Sequence, residues 1–377
     1  MEIQRNRIKI AVLEDLSEKM VFVGGPRQVG KTTLARQLLS ETGTPNGYLN
    51  WDITEHRRLL MSESLPANQP LLVLDEIHKY QHWRRLVKGY FDQYGVSMQL
   101  LVTGSARLDY YRKGGDSLMG RYHYRRLHPL SLMELTDKPA ESDVELLLQF
   151  GGFPEPLTRA NNRHWRRWQR ERVSRVVNDD LRDLENVKEI SAVELLANTL
   201  PDRIGSPLSV KALREHLQVA HETAERWIQI LERLYYCFRI APYGSPKIRA
   251  VKKEQKLYLW DWSEVSDAGA RFENMVACQL LKYCHYLEDD QGYRMELRYL
   301  RDTDGRETDF VVLKDGKALF AVEVKLSDKA ETKAMRYFKE RTDILNYYLV
   351  HNGNADKLQH GIRILPLRVF CQELEMP

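Results

Sequence analysis

The chain lacks the marks of several protein classes. No run approaches the roughly 18 apolar residues that a membrane-spanning helix needs, so no membrane partner is expected. Met1 to Lys9 is polar and basic and leads into no apolar signal core, which makes a cytoplasmic location the expectation. Cysteine is scarce: Cys237, Cys278, Cys284 and Cys371 are the four in 377 residues. None has the close paired spacing of a zinc site, and no disulfide framework is implied; they read as buried or incidental thiols. Internal repeats and low-complexity segments are absent. A strong charge excess is absent too: the formal net charge is +4, which does not by itself indicate a nucleic-acid partner.

What is there has the balance of a folded globular protein, 43% hydrophobic and 29% charged. The length exceeds one ordinary core and implies two or three domains. Residues 20–23 form a short apolar run, followed by glycines and a helical pattern from Lys31 to Leu39. Leu71 to Leu74 is wholly apolar and ends in Asp75-Glu76; Leu100 to Thr103 is another such run, ending in Gly104-Ser105. These read as buried parallel strands separated by helices, an α/β fold with a parallel sheet and helices on both faces. Their polar ends converge on one edge, where open α/β sheets bind ligands. Gly151-Gly152-Phe153-Pro154 punctuates the chain, and a mostly helical region follows. The expected divisions are 1–150, 151–265 and 266–377.

Gly25-Pro26-Arg27-Gln28-Val29-Gly30-Lys31-Thr32 fits the P-loop pattern in full, with Thr33 beside it. The glycines let backbone N–H groups turn toward phosphate oxygens, and the following helix aims its positive end at the same place. Lys31 is expected to reach the β- and γ-phosphates of ATP, and Thr32 to give its hydroxyl to Mg²⁺. Asp75, at a strand end, suits the magnesium shell, and Glu76 suits orienting and polarising the attacking water. Ser105, or its neighbour Thr103, is the candidate for sensing the γ-phosphate. Arg107, Arg121, Arg125 and Arg126 follow the third strand. Among them Arg121, after Gly120, is favoured as the arginine set against the transferred phosphoryl group, often supplied by a neighbouring subunit.

The order Gly-Pro-Arg-Gln-Val-Gly-Lys-Thr-Thr, Leu-Leu-Val-Leu-Asp-Glu-Ile-His and Thr-Gly-Ser-Ala resembles the prokaryotic AAA+ ATPases. Arg121, the stretch Leu127 to Glu134 and Gly151 to Pro154 resemble the subset carrying a C-terminal restriction-endonuclease-like domain. The resemblance implies a P-loop AAA+ core in 1–150, a helical lid and winged-helix region in 151–265 and a nuclease-like domain in 266–377. It also implies a homo-oligomer such as a hexamer, by analogy alone.

In the middle region Arg163 to Arg175 is rich in arginine and includes Trp165 and Trp168. It is either a solvated or interdomain helix face or a phosphate-contacting surface. Val210 to Leu217 and His221 to Leu234 read as two helices, and Tyr236 to Ile240 with Leu257 to Trp260 as a hairpin, the outline of a winged helix. Such a unit is either a DNA contact or a packing module. Glu222 and Glu225 near the start of its second helix would repel phosphates. Lys247, Arg249, Lys252 and Lys253, where the wing should lie, are better phosphate contacts.

Farther on, Arg271 to Tyr283 and Lys329 to Lys339 read as helices, and Leu297 to Leu300, Asp309 to Leu313, Leu319 to Val324 and Tyr347 to Val350 as strands. Asp309 is followed fourteen residues later by Glu323-Val324-Lys325, with Glu323 and Lys325 on one face of a strand. With Glu273 on the preceding helix, the set resembles the PD-(D/E)xK nucleases. That resemblance implies Asp309 and Glu323 as ligands of Mg²⁺ or Mn²⁺, Glu273 as a third or outer ligand, and Lys325 orienting water or neutralising charge. Glu307 is an alternative ligand. Three functions stay open: an ATPase coupled to DNA cleavage or remodelling in repair, recombination or defence; a nucleotide-controlled protein whose C-terminal domain only docks DNA or protein; and a signalling ATPase.

Overall fold

The computed structural model describes residues 3, 5–62, 65, 69–104, 118, 120–177, 189–244, 254–328 and 332–377. Ser105, Arg107, Lys247, Arg249, Lys252 and Lys253 lie outside the described residues. The chain folds as two compact units that divide between His128 and Pro129.

The first unit is built on five parallel strands: β1 (Met20–Gly24), β2 (Tyr48–Asn50), β3 (Leu71–Asp75), β4 (Gln99–Gly104) and β5 (Tyr122–Arg126), in the order β2-β3-β4-β1-β5. Among the described residues four helices accompany them: α1 (Asn6–Leu16), α2 (Lys31–Glu41), α3 (Thr54–Met61) and α4 (Trp83–Tyr94). Strand alternation sorts the side chains. Met20, Phe22, Leu72, Leu74, Leu100 and Val102 share one core with Leu60 of α3 and Trp83, Val87 and Tyr90 of α4. The intervening Val21, Val23, Val73 and Leu101 are equally buried, so the opposite face is covered as well. The apolar runs at 20–23, 71–74 and 100–103 are thus β1, β3 and β4. The short β2 and the polar, aromatic β5 carry no comparable run.

The second unit holds an eight-stranded mixed sheet of β6 (Cys237–Pro242), β7 (Lys256–Leu259), β8 (Met295–Arg301), β9 (Glu307–Lys314), β10 (Lys317–Lys325), β11 (Asn346–His351), β12 (Lys357–Gln359) and β13 (Ile362–Pro366). Their order is β12-β13-β11-β10-β9-β8-β6-β7. The helix Ala268–Gln291 lies against β8, β9 and β10. It starts where the Asp267 side chain accepts the Ala270 N–H at 2.8 Å and stops at Gly292, which takes φ 73°. The helix Lys333–Arg341 contributes Met335 and Phe338 to a core with Val311, Ala321 and Leu349. Thr332 caps it; the expected start at Lys329 lies outside the described residues. β12, β13 and the helix Leu367–Glu373 lie beyond the last expected strand, Tyr347 to Val350.

The helices Val210–Leu217 and His221–Arg233 stand where expected, with Gln218 left-handed at the turn. β6 and β7 pair antiparallel. This pair is no free-standing wing: β6 runs on beside β8, Ala241 opposite Arg298. Arg239 of β6 binds Glu225 and Glu232, each at 2.8 Å, so Glu225 is tied into the fold.

Gly151-Gly152-Phe153-Pro154 proves to be a packing element rather than mere punctuation. A Cβ on Gly151 would meet Asp261 Oδ1 at 2.5 Å, and one on Gly152 would meet the Trp262 ring at 2.6 Å. Trp262 Nε1 donates to the Leu147 carbonyl at 2.7 Å. In the helix Asn162–Arg175, Arg163, Arg166, Arg167, Arg170 and Arg175 are exposed, whereas Trp168 and Arg172 are buried.

Candidate functional site

The loop between β1 and α2 takes the shape its glycines permit. Gly25 adopts φ 151°, and a Cβ there would meet the Leu127 carbonyl oxygen at 2.3 Å. Gly30 takes φ 103° and opens α2. Lys31 is buried, its Nζ donating to the carbonyls of Gly25 at 2.9 Å and Pro26 at 2.7 Å. The ammonium is therefore folded back on the loop it serves.

Asp75 stands at the end of β3, beside the loop. Its Oδ2 accepts from the Thr32 hydroxyl at 3.0 Å and from Tyr48 at 2.5 Å, and its Oδ1 accepts from Thr103 at 2.5 Å. Three hydroxyls from three elements thus hold one buried carboxylate. Thr103 fixes Asp75. Tyr48 is a participant that sequence reasoning missed: β2 is three residues long and shows no pattern that marks its tyrosine. Burial, and then the bond to Asp75, raise the Tyr48 phenol above its usual range.

Glu76 follows in the left-handed region, φ 55°, its N–H bonded to the Thr103 carbonyl at 3.0 Å. A non-glycine residue there costs on the order of 1 kcal/mol. Burial raises its carboxyl above the usual range, against the lowering effect of Lys31 and Lys79. His78 is buried nearby, its Nε2 3.7 Å from Glu76 Oε2. Burial pushes His78 down to about 4, and its Nδ1 has no hydrogen-bond partner among the described residues.

The arginines divide. Arg125 is bound to Asp15 at 2.6 Å and is structural. Arg121 precedes β5 beside Met20 and pairs with Asp92 at 3.1 Å. Its place is at the end of the sheet opposite the loop, about four residues of strand or roughly 13 Å away. Within its own chain it does not face the loop.

The second unit gathers Glu273, Asp309, Glu323 and Lys325 near one another, but not as a three-acid metal cage. Among the described residues no three His, Cys, Asp or Glu side chains meet in a metal-holding arrangement. The physical reason is Lys256. This lysine of β7 has no solvent exposure; its Nζ lies 3.3 Å from Glu273 Oε1 and 3.7 Å from Asp309 Oδ1 and also pairs with Glu307. Glu273 accepts from the Tyr258 hydroxyl at 2.7 Å as well. Glu323 Oε1 pairs with Lys325 at 2.8 Å, as the alternation along β10 requires, while its Oε2 is buried and has no partner among the described residues. Asp309 Oδ2 accepts the Val324 N–H at 2.8 Å. Burial, then the nearby Asp309 charge, push Glu273 up to about 7 and Glu323 up to about 8. Asp309 and Glu323, with its orphaned oxygen, offer the oxygen donors that a hard cation takes, and Glu273 is held by Lys256 and Tyr258.

The first unit thus has the fold and the loop of a P-loop ATPase domain. Comparison with known proteins agrees: residues 17–136 match the family described as AAA domain. Residues 141–266 match a domain of unknown function (DUF8612), and residues 268–370 match another (DUF4143). Over 95% of its length the chain is 23% identical to uncharacterized protein MJ1637 of Methanocaldococcus jannaschii, covering 85% of that protein. It is 24% identical to uncharacterized protein Rv2008c of Mycobacterium tuberculosis over 64% of this chain and 54% of the relative, so it spans about half the length of that relative. The Walker-type ATPase PABY2304 of Pyrococcus abyssi aligns with 72% of this chain and 96% of its own, at 13% identity and a TM-score of 0.43.

Proposed function

We propose that the chain is a magnesium-dependent AAA+ ATPase coupled to DNA binding, with a C-terminal PD-(D/E)xK nuclease-like domain that cleaves or remodels DNA. One observation carries the ATPase reading: the Thr32 hydroxyl of the P-loop lies 3.0 Å from Asp75 at the end of β3. Bringing a helix-start hydroxyl and a strand-end carboxylate together is what a magnesium-bound triphosphate requires. Residues 25–33 cradle the phosphates. Bound magnesium would neutralise charge on the β- and γ-phosphates. Lys31 leaves the loop carbonyls and turns to the phosphates, and Glu76 orients the attacking water. Arg121, facing away from its own loop, acts on a neighbouring subunit's site in a homo-oligomer.

Asp309, Glu323 and Lys325 support the nuclease reading. A divalent ion held by Asp309 and Glu323 would supply phosphate polarisation and lower the pKa of a water; Lys325, beside Glu323, would orient the attacking water. The helix pair before β6 reads as a winged helix used for packing, because Glu225 is held by Arg239. The exposed arginines of Asn162–Arg175 are the better phosphate-contacting surface. A second reading, a non-catalytic C-terminal domain that docks DNA or a protein partner, is favoured by the capture of Glu273 by Lys256.

The test is an ATPase assay with and without a panel of duplex, single-stranded and branched DNA, scored for cleavage in the same tubes. Lys31→Ala is expected to remove detectable turnover; wild-type turnover in that variant contradicts the ATP assignment. Lys325→Ala is expected to lower magnesium-dependent nicking by about 10²-fold or more while leaving ATP turnover in place. Cleavage by the wild type and the variant at equal rates takes Lys325 out of the chemistry. Its absence from both favours the docking reading.

A further inference from the structure

The acidic site of the second unit contains a residue that the nuclease pattern does not call for. Lys256 comes from β7, about fifty residues before Asp309 in the chain, and its ammonium is completely buried. Such a charge is retained only where carboxylates surround it. Glu273, Glu307 and Asp309 do so, at 3.3 Å and 3.7 Å for the first and last, with Glu307 also in contact. Lys256 and Tyr258 alternate on one face of β7, and both bind the same oxygen of Glu273. The other oxygen of Glu307 pairs with Arg301 at 3.0 Å. This half of the site is satisfied from within the chain.

The other half is not. Glu323 is 4% exposed, and its Oε2 lacks any partner among the described residues. An orphaned buried carboxylate oxygen is costly, and either a proton or a bound cation would satisfy it. Asp309 stands between the two halves, in reach of Lys256 on one side and fixed by the Val324 N–H on the other.

We infer that Lys256 is a built-in cation standing where a second metal ion would sit, so that the site takes one divalent ion, at Asp309 and Glu323. Glu273 then holds Lys256 and is not a metal ligand. The inference rests on the metal-site reading above and adds its stoichiometry and the role of two residues. Lys256 is a positioning residue that keeps Glu273 and Glu307 away from the ion and limits the positive charge the site accepts.

The experiment is Mn²⁺ titration of the full-length chain without nucleotide, followed by calorimetry and by the electron paramagnetic resonance signal of free Mn²⁺. Ions of this site are those lost in Asp309→Asn. One such ion is expected in the wild type and in Lys256→Arg. Lys256→Met is expected to gain a second ion or to bind the first at least about tenfold more tightly, since a positive charge a few ångström away is removed at an effective dielectric near 20. Glu273→Gln is expected to stay within about twofold of the wild-type affinity and Glu323→Gln to lose roughly tenfold or more; this arm decides the matter if Lys256→Met does not fold. Two Asp309-dependent ions in the wild type would overturn the inference. So would Lys256→Met at unchanged stoichiometry and affinity, or Glu273→Gln as damaging as Glu323→Gln. No Asp309-dependent ion in any of the proteins would overturn the metal-site reading itself, and this inference with it.

Discussion

Glu76→Gln is expected to bind ATP within about threefold of the wild type and to turn it over roughly 10²–10³-fold more slowly. The side chain keeps its shape and loses its charge. The backbone at 76 is left-handed and its N–H is bonded to Thr103, so the position is fixed by the fold rather than by the carboxylate. The carboxyl itself is raised by burial and held down by Lys31 and Lys79. Lys79 lies 3.5 Å from it. His78, pushed down to about 4 by burial, is neutral near pH 7 and offers no counter-charge. The glutamate is thus a weakly solvated carboxyl near Lys31, which would suit the proposed activation of water. Binding of a fluorescent ATP analogue and phosphate release under single-turnover conditions check the two halves of the expectation. An unaltered rate removes Glu76 from the chemistry; lost binding makes it a structural residue.

The ATP site was legible because its chemistry lies in consecutive residues. Gly25 to Thr32 state both the loop geometry and the ligands, and the apolar run before Asp75 states the strand that delivers the acid. Tyr48 was not legible. Its bond to Asp75 depends on β2 lying beside β3, and a three-residue strand has too few positions to show a period. The acidic site of the second unit was half legible for the same reason. Asp309, Glu323 and Lys325 belong to one hairpin, and their spacing fixes their mutual placement. Lys256 reaches them only because β6 joins the large sheet beside β8 and carries β7 with it, a long-range pairing with no local signature. The acids that the pattern groups together therefore share their place with an internal lysine that the pattern does not announce.

Gly151-Gly152-Phe153-Pro154 illustrates a different limit. Glycine and proline mark a break in the chain, and Pro154 does open a helix. The glycines serve something the sequence does not announce: they let the backbone approach Asp261 and Trp262. Phe153 then lies under the Arg172 guanidinium, 4.5 Å from its ring centroid. Composition made Arg172 look like one more residue of a basic helix face, whereas its neighbours in space make it the centre of a core.

Arg172→Ala is accordingly expected to be the most damaging of the arginine substitutions in that helix, at roughly 3–5 kcal/mol of folding stability. The guanidinium is 3% exposed and binds Glu264, 8% exposed, at 2.6 Å. Tyr236 donates to the other oxygen of Glu264 at 2.8 Å, and the rings of Trp168 and Tyr236 lie within 6 Å of the cation. Removing the arginine leaves Glu264 buried beside Asp261, another acid whose carboxyl burial already raises. The loss is therefore larger than that of an exposed pair, and Arg170→Ala on the solvent side is expected to cost less than about 0.5 kcal/mol. Arg172→Lys is not expected to rescue, because an ammonium lacks the planar stacking surface that Phe153 meets. Arg172→Met combined with Glu264→Met is expected to be less destabilised than Arg172→Ala, since no uncompensated charge remains. Urea unfolding followed by tryptophan fluorescence compares the four variants with the wild type, and an Arg172→Ala loss below about 1 kcal/mol, as for an exposed pair, would show that this buried charge is not what holds the Gly151–Pro154 segment to the turn at 261–264.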